Sequence, residues 1–264
     1  MQKRLIILRL NGIFLCLTAT LFSCSGTGPP DSGPRSVAAP ASLASFLLTM
    51  PGVVNQFITN GDKSALLAEQ AGRPAFAPGT NADPTITFDP GASFQTMDGF
   101  GFALTEGSAE VISGLSGSGQ AELLNDLFHP TLGIGVSVVR ISIGASVLEL
   151  LELYLSGVPY TSGGCTQCQG ALTVSGGAYT RNVSYYIVAH LAKFVRPGAL
   201  RVGTSSTSSN LVSAGFVNDR TAGGARSLVV LNKGATMQSF NISYGSKIVS
   251  VRLNAGSVAT YVWY

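Results

Sequence analysis

The sequence predicts two kinds of structure in one chain, an α/β part followed by an all-β part, and three observations predict it. A glycine-broken strand, an amphipathic helical stretch and a β-branched strand follow one another between residues 94 and 144. From residue 200 onward the chain falls into short alternating runs separated by turn residues. Charged residues make up only 11% of the chain while glycine supplies 32 of 264 positions, a mix suited to an exported, β-rich protein.

Taken in order, residues 1–24 read as an export signal. Lys3, Arg4 and Arg9 give a basic start, and residues 13–22 (IFLCLTATLF) give an apolar run too short to span a bilayer. The run ends in Leu21-Phe22-Ser23-Cys24, which is similar to a bacterial lipoprotein cleavage box with Cys24 as the lipidated residue. The expected location is therefore outside the cytoplasm, on a membrane through a lipid anchor. Ordinary secretory cleavage near residues 37–41 is the alternative. Residues 25–45, rich in Ser, Gly, Pro and Ala, read as a flexible tether. Residues 53–59 and 85–89 alternate like strands, with the polar DKSALLAEQ segment between them.

Residues 94–109 (FQTMDGFGFALTEGSA) read as a strand broken by glycines. Residues 120–128 (QAELLNDLF) have helical spacing, with Leu123, Leu124, Leu127 and Phe128 on one side. Residues 135–144 (GVSVVRISIG) suit a buried parallel strand. Strand, helix, strand is how a β/α barrel begins. Residues 184–194 (SYYIVAHLAKF) read as a helix stopped by Arg196-Pro197-Gly198. Six strands follow, at 200–203, 211–218, 227–232, 239–244, 248–253 and 258–263, with the spacing of a β-sandwich.

The net charge is +3, and the leader carries three of the positive charges and no negative one, so the chain without it is neutral. With no basic run left to track phosphates, the sequence speaks against nucleic acid as a partner. Cys165 and Cys168 form a C-x-x-C pair. A zinc site would need further ligands, and the two histidines, His129 and His190, lie far away in sequence. A redox motif would need a thioredoxin-like context. In an exported chain the pair reads as a small structural disulfide. No cofactor and no metal is expected.

Several blocks carry a family resemblance. FQTMDGFGFALTEGSA followed by LLNDLFHPTLGIGVSVVRISIGAS resembles the opening of glycoside hydrolase family 30, the glucosylceramidase-like β-glycosidases. GGCTQCQGALTV, RNVSYYIVAHLAKFVRPGALRVG, SLVVLN and SVATYVW resemble its end, and ITNGDKSALLAEQ its early β segment. The resemblance implies a (β/α)8 barrel with a β-sandwich side domain built from both chain termini. Residues 46–93 would supply its N-terminal strands, 94–194 a barrel remnant and 195–264 the C-terminal sandwich. It implies a carbohydrate or glycolipid partner and retaining hydrolysis by two glutamates, one of which follows an asparagine.

The chain departs from that pattern at its centre. No Asn-Glu dipeptide occurs in it. The left-hand match runs through Ser146, where an Asp normally follows and this chain has Val147; the right-hand match resumes at Leu153-Tyr154-Leu155, corresponding to the last barrel strand. Only the first and last barrel units are expected, against the roughly 250 residues a barrel takes. No catalytic residue is assigned, and glycosidase turnover is not expected. Glu149 and Glu152 read as the solvated side of a helical stretch whose apolar side is Leu148, Leu151 and Leu155.

Three residues are candidates for substrate binding. Glu106 stands where some relatives place an acid that bonds sugar hydroxyls; a strand-end acid is the plainer reading. Arg140 matches a family arginine in the barrel mouth that would hold the nucleophile carboxylate ionised, and a local ion pair, with Asp98 as one partner, is the alternative. Asp98 itself reads as a residue bonding nearby amides. His190 is expected to be a packing histidine with its bonds satisfied, His129 to be solvated, and the single tryptophan, Trp263, to lie in the last strand away from any sugar.

Overall fold

The computed structural model describes residues 52–104, 106–141, 153–154, 170–219 and 224–264. The leader, the tether, Cys24, Cys165, Cys168, Glu149, Glu152 and the junction after Ser146 lie outside the described residues.

One nine-stranded sheet gathers strands from both ends of the chain. In chain order these are β1 (Asn55–Thr59), β2 (Ala68–Glu69), β3 (Thr85–Thr96), β9 (Leu200–Ser206), β10 (Leu211–Val217), β11 (Arg226–Asn232), β12 (Gln238–Tyr244), β13 (Lys247–Leu253) and β14 (Val258–Trp263). Their spatial order is β13-β12-β3-β9-β10-β11-β14-β1-β2. Every pairing is antiparallel except β12 with β3. The sheet curls until its ends meet: Val53 bridges to Ala75, and Ala77 bridges to Ile248 of β13. That closure gives the outer strands backbone partners and removes exposed edges.

Period-2 alternation builds the interior. Leu228 and Val230, Phe240 and Ile242, Val249, Val251 and Leu253, and Ala259, Tyr261 and Trp263 all point into one cluster with Ile86 and Phe88. Trp263 is fully buried, its ring edge-on to Phe88 at 4.9 Å and to Phe76 at 5.4 Å. The opposite faces of β1 and β14 are buried too, since Phe57, Thr59, Thr260 and Val262 are all covered.

The α/β part supplies that cover. β4 (Gly101–Ala103) pairs in parallel with β5 (Val138–Arg140), and the crossover between them holds α1 (Glu106–Ser113) and α2 (Gly117–Phe128). Ser116 caps α2 by accepting a bond from Gly119 N at 3.1 Å. β6 (Leu153–Tyr154) runs parallel to β7 (Leu172–Ser175), which forms a hairpin with β8 (Ala178–Arg181). α3 (Val183–Ala192) follows and leads into β9. Ile112, Leu123, Leu127, Val136, Leu172, Val174, Tyr185 and Ala189 form a second core.

Three expectations need correction, and one element is new. Residues 94–109 are not one interrupted strand: β3 ends at Thr96, β4 is three residues long, and a helix starts at Glu106. Ser108 and Ile112, four apart and both buried, give that helix its packed side. Residues 135–141, the described part of the stretch 135–144, are not one buried strand: among them only Val138–Arg140 pairs, Val138 and Val139 are half-buried, and Arg140 and Ile141 are exposed. The apolar side of α2 is narrower than its leucines suggest, because Leu124 is exposed. The β7–β8 hairpin was not anticipated, although Ser175-Gly176-Gly177-Ala178 signals it. Both glycines have positive φ, +59° and +79°, the requirement of a type I′ turn.

β4 and β5 approach closely at Gly101, where a Cβ would stand 1.9 Å from the Val138 carbonyl oxygen. Gly101→Ala should therefore push the two strands apart and lower stability by about 2 kcal/mol or more. Gly117→Ala, with nothing within 4 Å of the added Cβ, should be neutral or stabilise by up to about 1 kcal/mol. Urea denaturation followed by circular dichroism measures both.

Candidate functional site

β4 and β5 are parallel, so their C-terminal ends form one edge. Arg140 closes β5 there opposite Ala103, and Leu104 N donates to the Arg140 carbonyl at 2.8 Å. Glu106, expected at a strand end, opens α1 three residues after β4. These two candidates thus belong to the same edge. Asp98 precedes β4 and belongs to the other edge, at an exposed turn next to Gly99. The register therefore brings Glu106 and Arg140 to one end of the strand pair and leaves Asp98 at the opposite one.

Behind this edge is a cavity of about 20 Å³. It is lined by apolar groups, among them Phe102, Leu104, Phe128, Val139 and Leu172. That is room for about one water molecule, not for a sugar ring. A sugar subsite needs convergent polar groups, and this lining supplies none.

A tight polar cluster of the α/β part lies elsewhere, outside the residues singled out from the sequence. Asp126, on α2, accepts the Tyr179 hydroxyl at 2.5 Å and Arg181 Nε at 2.8 Å, and Arg181 Nη2 bonds the same oxygen. Tyr185 OH donates to the Asp126 carbonyl at 3.1 Å, and the Arg181 guanidinium lies over the Tyr185 and Tyr179 rings. Burial and the Asp126 carboxylate push the Tyr179 pKa up, and Tyr185 is raised to about 12, first by burial and then by the same carboxylate. For Arg181, burial works against the charge, but the hydrogen bond and charge of Asp126 outweigh it and raise the pKa. The cluster staples the β7–β8 hairpin to α2, and the raised pKa values of Tyr179 and Tyr185 keep both hydroxyls protonated near neutrality. Its only sequence trace is the alternation Tyr179, Arg181 after the Gly-Gly turn.

The histidines are structural. His190 is fully buried, with both ring nitrogens bonded, and burial lowers its pKa to about 4. His129, expected to be solvated, is half-buried and uses Nδ1 to receive Thr131 N and Leu132 N in the turn after α2. Trp263 is in the inner core, away from the strand-pair edge, as its place in the last strand implied. Among the described residues no group of three or more His, Cys, Asp or Glu could hold a metal ion, and no helix is long and apolar enough to cross a membrane.

A curled, closed β-domain joined to a parallel β/α unit places the chain among proteins that pair a β-sandwich with an α/β domain. Residues 198–261 match the glycosyl hydrolase family 30 beta sandwich domain. Over 47 residues the chain is 43% identical to endo-1,6-beta-D-glucanase neg1 of Aspergillus fumigatus, a stretch that is 18% of this chain and 10% of that protein. The fold is similar to that of the endo-beta1,6-glucanase BT3312, with a TM-score of 0.65 and 14% identity over 80% of this chain and 99% of that one. It is also similar to the catalytic domain of GH30 xylanase C from Talaromyces cellulolyticus, with a TM-score of 0.51 and 13% identity over 68% of this chain and 100% of that one. The relationship to glycoside hydrolase family 30 that the sequence motifs implied is carried by residues 198–261, which match the family's beta sandwich domain.

Tyr179→Phe removes one hydrogen bond from the Asp126 cluster and should lower stability by about 1 kcal/mol without altering secondary structure. Denaturation monitored by far-ultraviolet circular dichroism measures the loss. An unchanged midpoint would assign the cluster to the surface alone.

Proposed function

We propose that this chain is a family 30 glycosidase-like protein that keeps the β-sandwich and performs no glycosidic hydrolysis. The observation that carries the reading is the placement of its six glutamates. Retaining hydrolysis needs two carboxyls about 5–5.5 Å apart on opposite sides of the scissile bond. Glu69 is bonded to Arg73, Glu110 and Glu122 are exposed on helices, and Glu106 is one turn before Glu110 on the same helix. Glu149 and Glu152 are three apart in the sequence, and neither follows an asparagine. Glu106 and Glu110, one turn apart on one helix, cannot flank a sugar from both sides.

In this reading residues 94–194 are the first and last units of a (β/α)8 barrel, and the parallel pairing of β4 and β5 across a helical crossover supports it. Glu106 and Arg140 are then what remains of a substrate edge. The protein is exported, and Cys24 carries a lipid that anchors it to a membrane, with secretion as the other route. Cys165 and Cys168 form a structural disulfide. The ligand class is carbohydrate. Two relatives named for β-1,6-glucan make that polymer the first to test, and a glucosylceramide-type glycolipid the second.

A second reading, a non-catalytic exported lipoprotein whose sandwich binds glycan or a partner, is favoured by one observation. The sheet is closed, with a continuous inner core from Ile86 to Trp263, so it offers a whole surface even where the α/β part does not.

Purified full chain incubated with β-1,6-glucan and with aryl β-glucosides should release no more reducing sugar than the buffer blank. Hydrolysis that disappears in Glu106→Gln would overturn the non-hydrolytic reading. Calorimetric titration with β-1,6-gluco-oligosaccharides tests the carbohydrate ligand that both readings name: a saturable heat supports glycan binding and a flat trace removes it. Long-read sequencing of source DNA across the codons for Ser146–Leu153 tests the shortened barrel: an in-frame insert encoding Asn-Glu would return the gene to the hydrolases.

A further inference from the structure

His190 occupies the joint between α3 and the outer faces of β1 and β14. Its Nδ1 lies 2.8 Å from Thr260 Oγ1 and its Nε2 2.9 Å from Thr59 Oγ1. The direction of each bond follows from the others. Thr260 gives its hydroxyl proton to the His190 carbonyl at 3.2 Å, so toward the ring it accepts, and Nδ1 is the protonated nitrogen. Nε2 then receives the Thr59 hydroxyl proton, while Thr59 Oγ1 accepts Leu67 N at 2.9 Å. A directed chain thus runs from Leu67 through Thr59, the ring and Thr260 back to the α3 backbone.

The neutral ring completes this chain and the cation does not. An imidazolium would aim a second N–H at Thr59, whose own proton would lose its acceptor, inside a site with no exposure to water. The titratable groups on the surrounding elements are engaged elsewhere. Lys193 at the end of α3 donates to the Thr131 and Gly133 carbonyls, and Tyr185 to that of Asp126. Tyr186 packs edge-on against Tyr185, and Glu69 on β2 bonds Arg73. Tyr261 on β14 meets Gln56, and Arg226 on β11 lies over Tyr244. None of these contacts supplies a counter-charge to the ring.

We propose that His190 is an acid-sensitive latch: the neutral ring locks α3 onto the sandwich, and proton uptake releases the helix while the inner sandwich core stays folded. Burial alone holds the ring's pKa near 4, below the ordinary value of 6.5. Between those values the latched state binds fewer protons than the released one, so the latch is at full strength above pH 6.5 and weakens as the pH falls toward 4. Release exposes the outer faces of β1 and β14 and frees the strand pair that carries Arg140.

The test is amide hydrogen exchange of the full chain at pH 7.5 and pH 5, corrected for intrinsic exchange, in wild type and in His190→Gln. Glutamine can donate and accept but does not titrate. In wild type, protection across residues 183–195 should fall about 30-fold between the two pH values. Protection in β13 should hold, and His190→Gln should show no fall. Equal falls in both proteins, or a fall spread evenly over β9 to β13, overturns the latch. Should His190→Gln fail to fold, His129→Gln leaves a single imidazole in the chain, whose titration is followed by NMR on labelled histidine. A ring that charges near pH 6.5 with α3 still protected overturns the proposal, and a ring that stays neutral until the helix opens supports it.

Discussion

The end of α3 is the joint on which the two halves of the molecule depend. A helix terminus leaves carbonyls without intrahelical partners, and here the sandwich supplies them. The Phe194 carbonyl accepts Ser227 Oγ at 2.7 Å and Asn218 Nδ2 at 2.9 Å, and Asn218 Oδ1 returns the bond by receiving Arg196 N at 2.8 Å. The same few residues reach the other way. Lys193 holds the Thr131 and Gly133 carbonyls, and Arg196 Nη1 holds that of Gly135, fixing the loop that leads into β5. With His190 one turn earlier, this segment is bonded to both cores. Apart from the exposed Lys193–Thr131 contact these bonds are part-buried, so opening the joint would leave several polar groups unpaired.

That arrangement explains why β14 is buried on both faces. Its inner side chains, Ala259, Tyr261 and Trp263, fill the curled sheet, while Thr260 and Val262 meet α3 and its neighbours. A strand covered on one side reads as an alternation, and a strand covered on both reads as a nearly continuous apolar run. The run VATYVW carries that second pattern, with a threonine at the one place where a buried imidazole needs a partner. The two cores are unequal in completeness. The sheet closes through residues 75–77, whereas β4 and β5 have only each other as described sheet neighbours. Leu132 and Ile141, beside that pair, stay exposed.

Much of this was legible in the sequence, and the pattern of failures has physical causes. The six C-terminal strands announce themselves because each alternates against one interior and ends in turn residues. The α3 stop at Arg196-Pro197-Gly198 and the packing role of His190 were equally readable. What was not readable depends on partners far along the chain. The parallel pairing of Thr85 with Asn241 and the closure of Ala77 onto Ile248 join segments more than 150 residues apart, and no local period encodes them. The stretch 135–144 misled because β-branched residues signal a strand whether or not neighbours exist to cover it; of its described residues, 135–141, three pair. In the stretch 94–109, glycines that look like interruptions of a strand mark instead a close approach of β4 to β5, after which the chain turns into a helix.

The candidate site was readable in part for a different reason. Glu106 and Arg140 were singled out by resemblance, and the register does bring both to the C-terminal edge of the strand pair, where β/α proteins place their chemistry. Resemblance identifies positions, but the chemistry of an acid or an arginine is set by what the neighbouring elements aim at it. An arginine in a barrel mouth acts on a carboxylate presented by another strand. Here Arg140 is exposed, and the small cavity behind it is lined by apolar groups such as Phe102, Leu104 and Val139. The groups that do hold one another tightly, Asp126 with Tyr179 and Arg181, and His190 with its two threonines, serve the joints between elements. The chain's buried polar chemistry holds α2, α3 and the sandwich together.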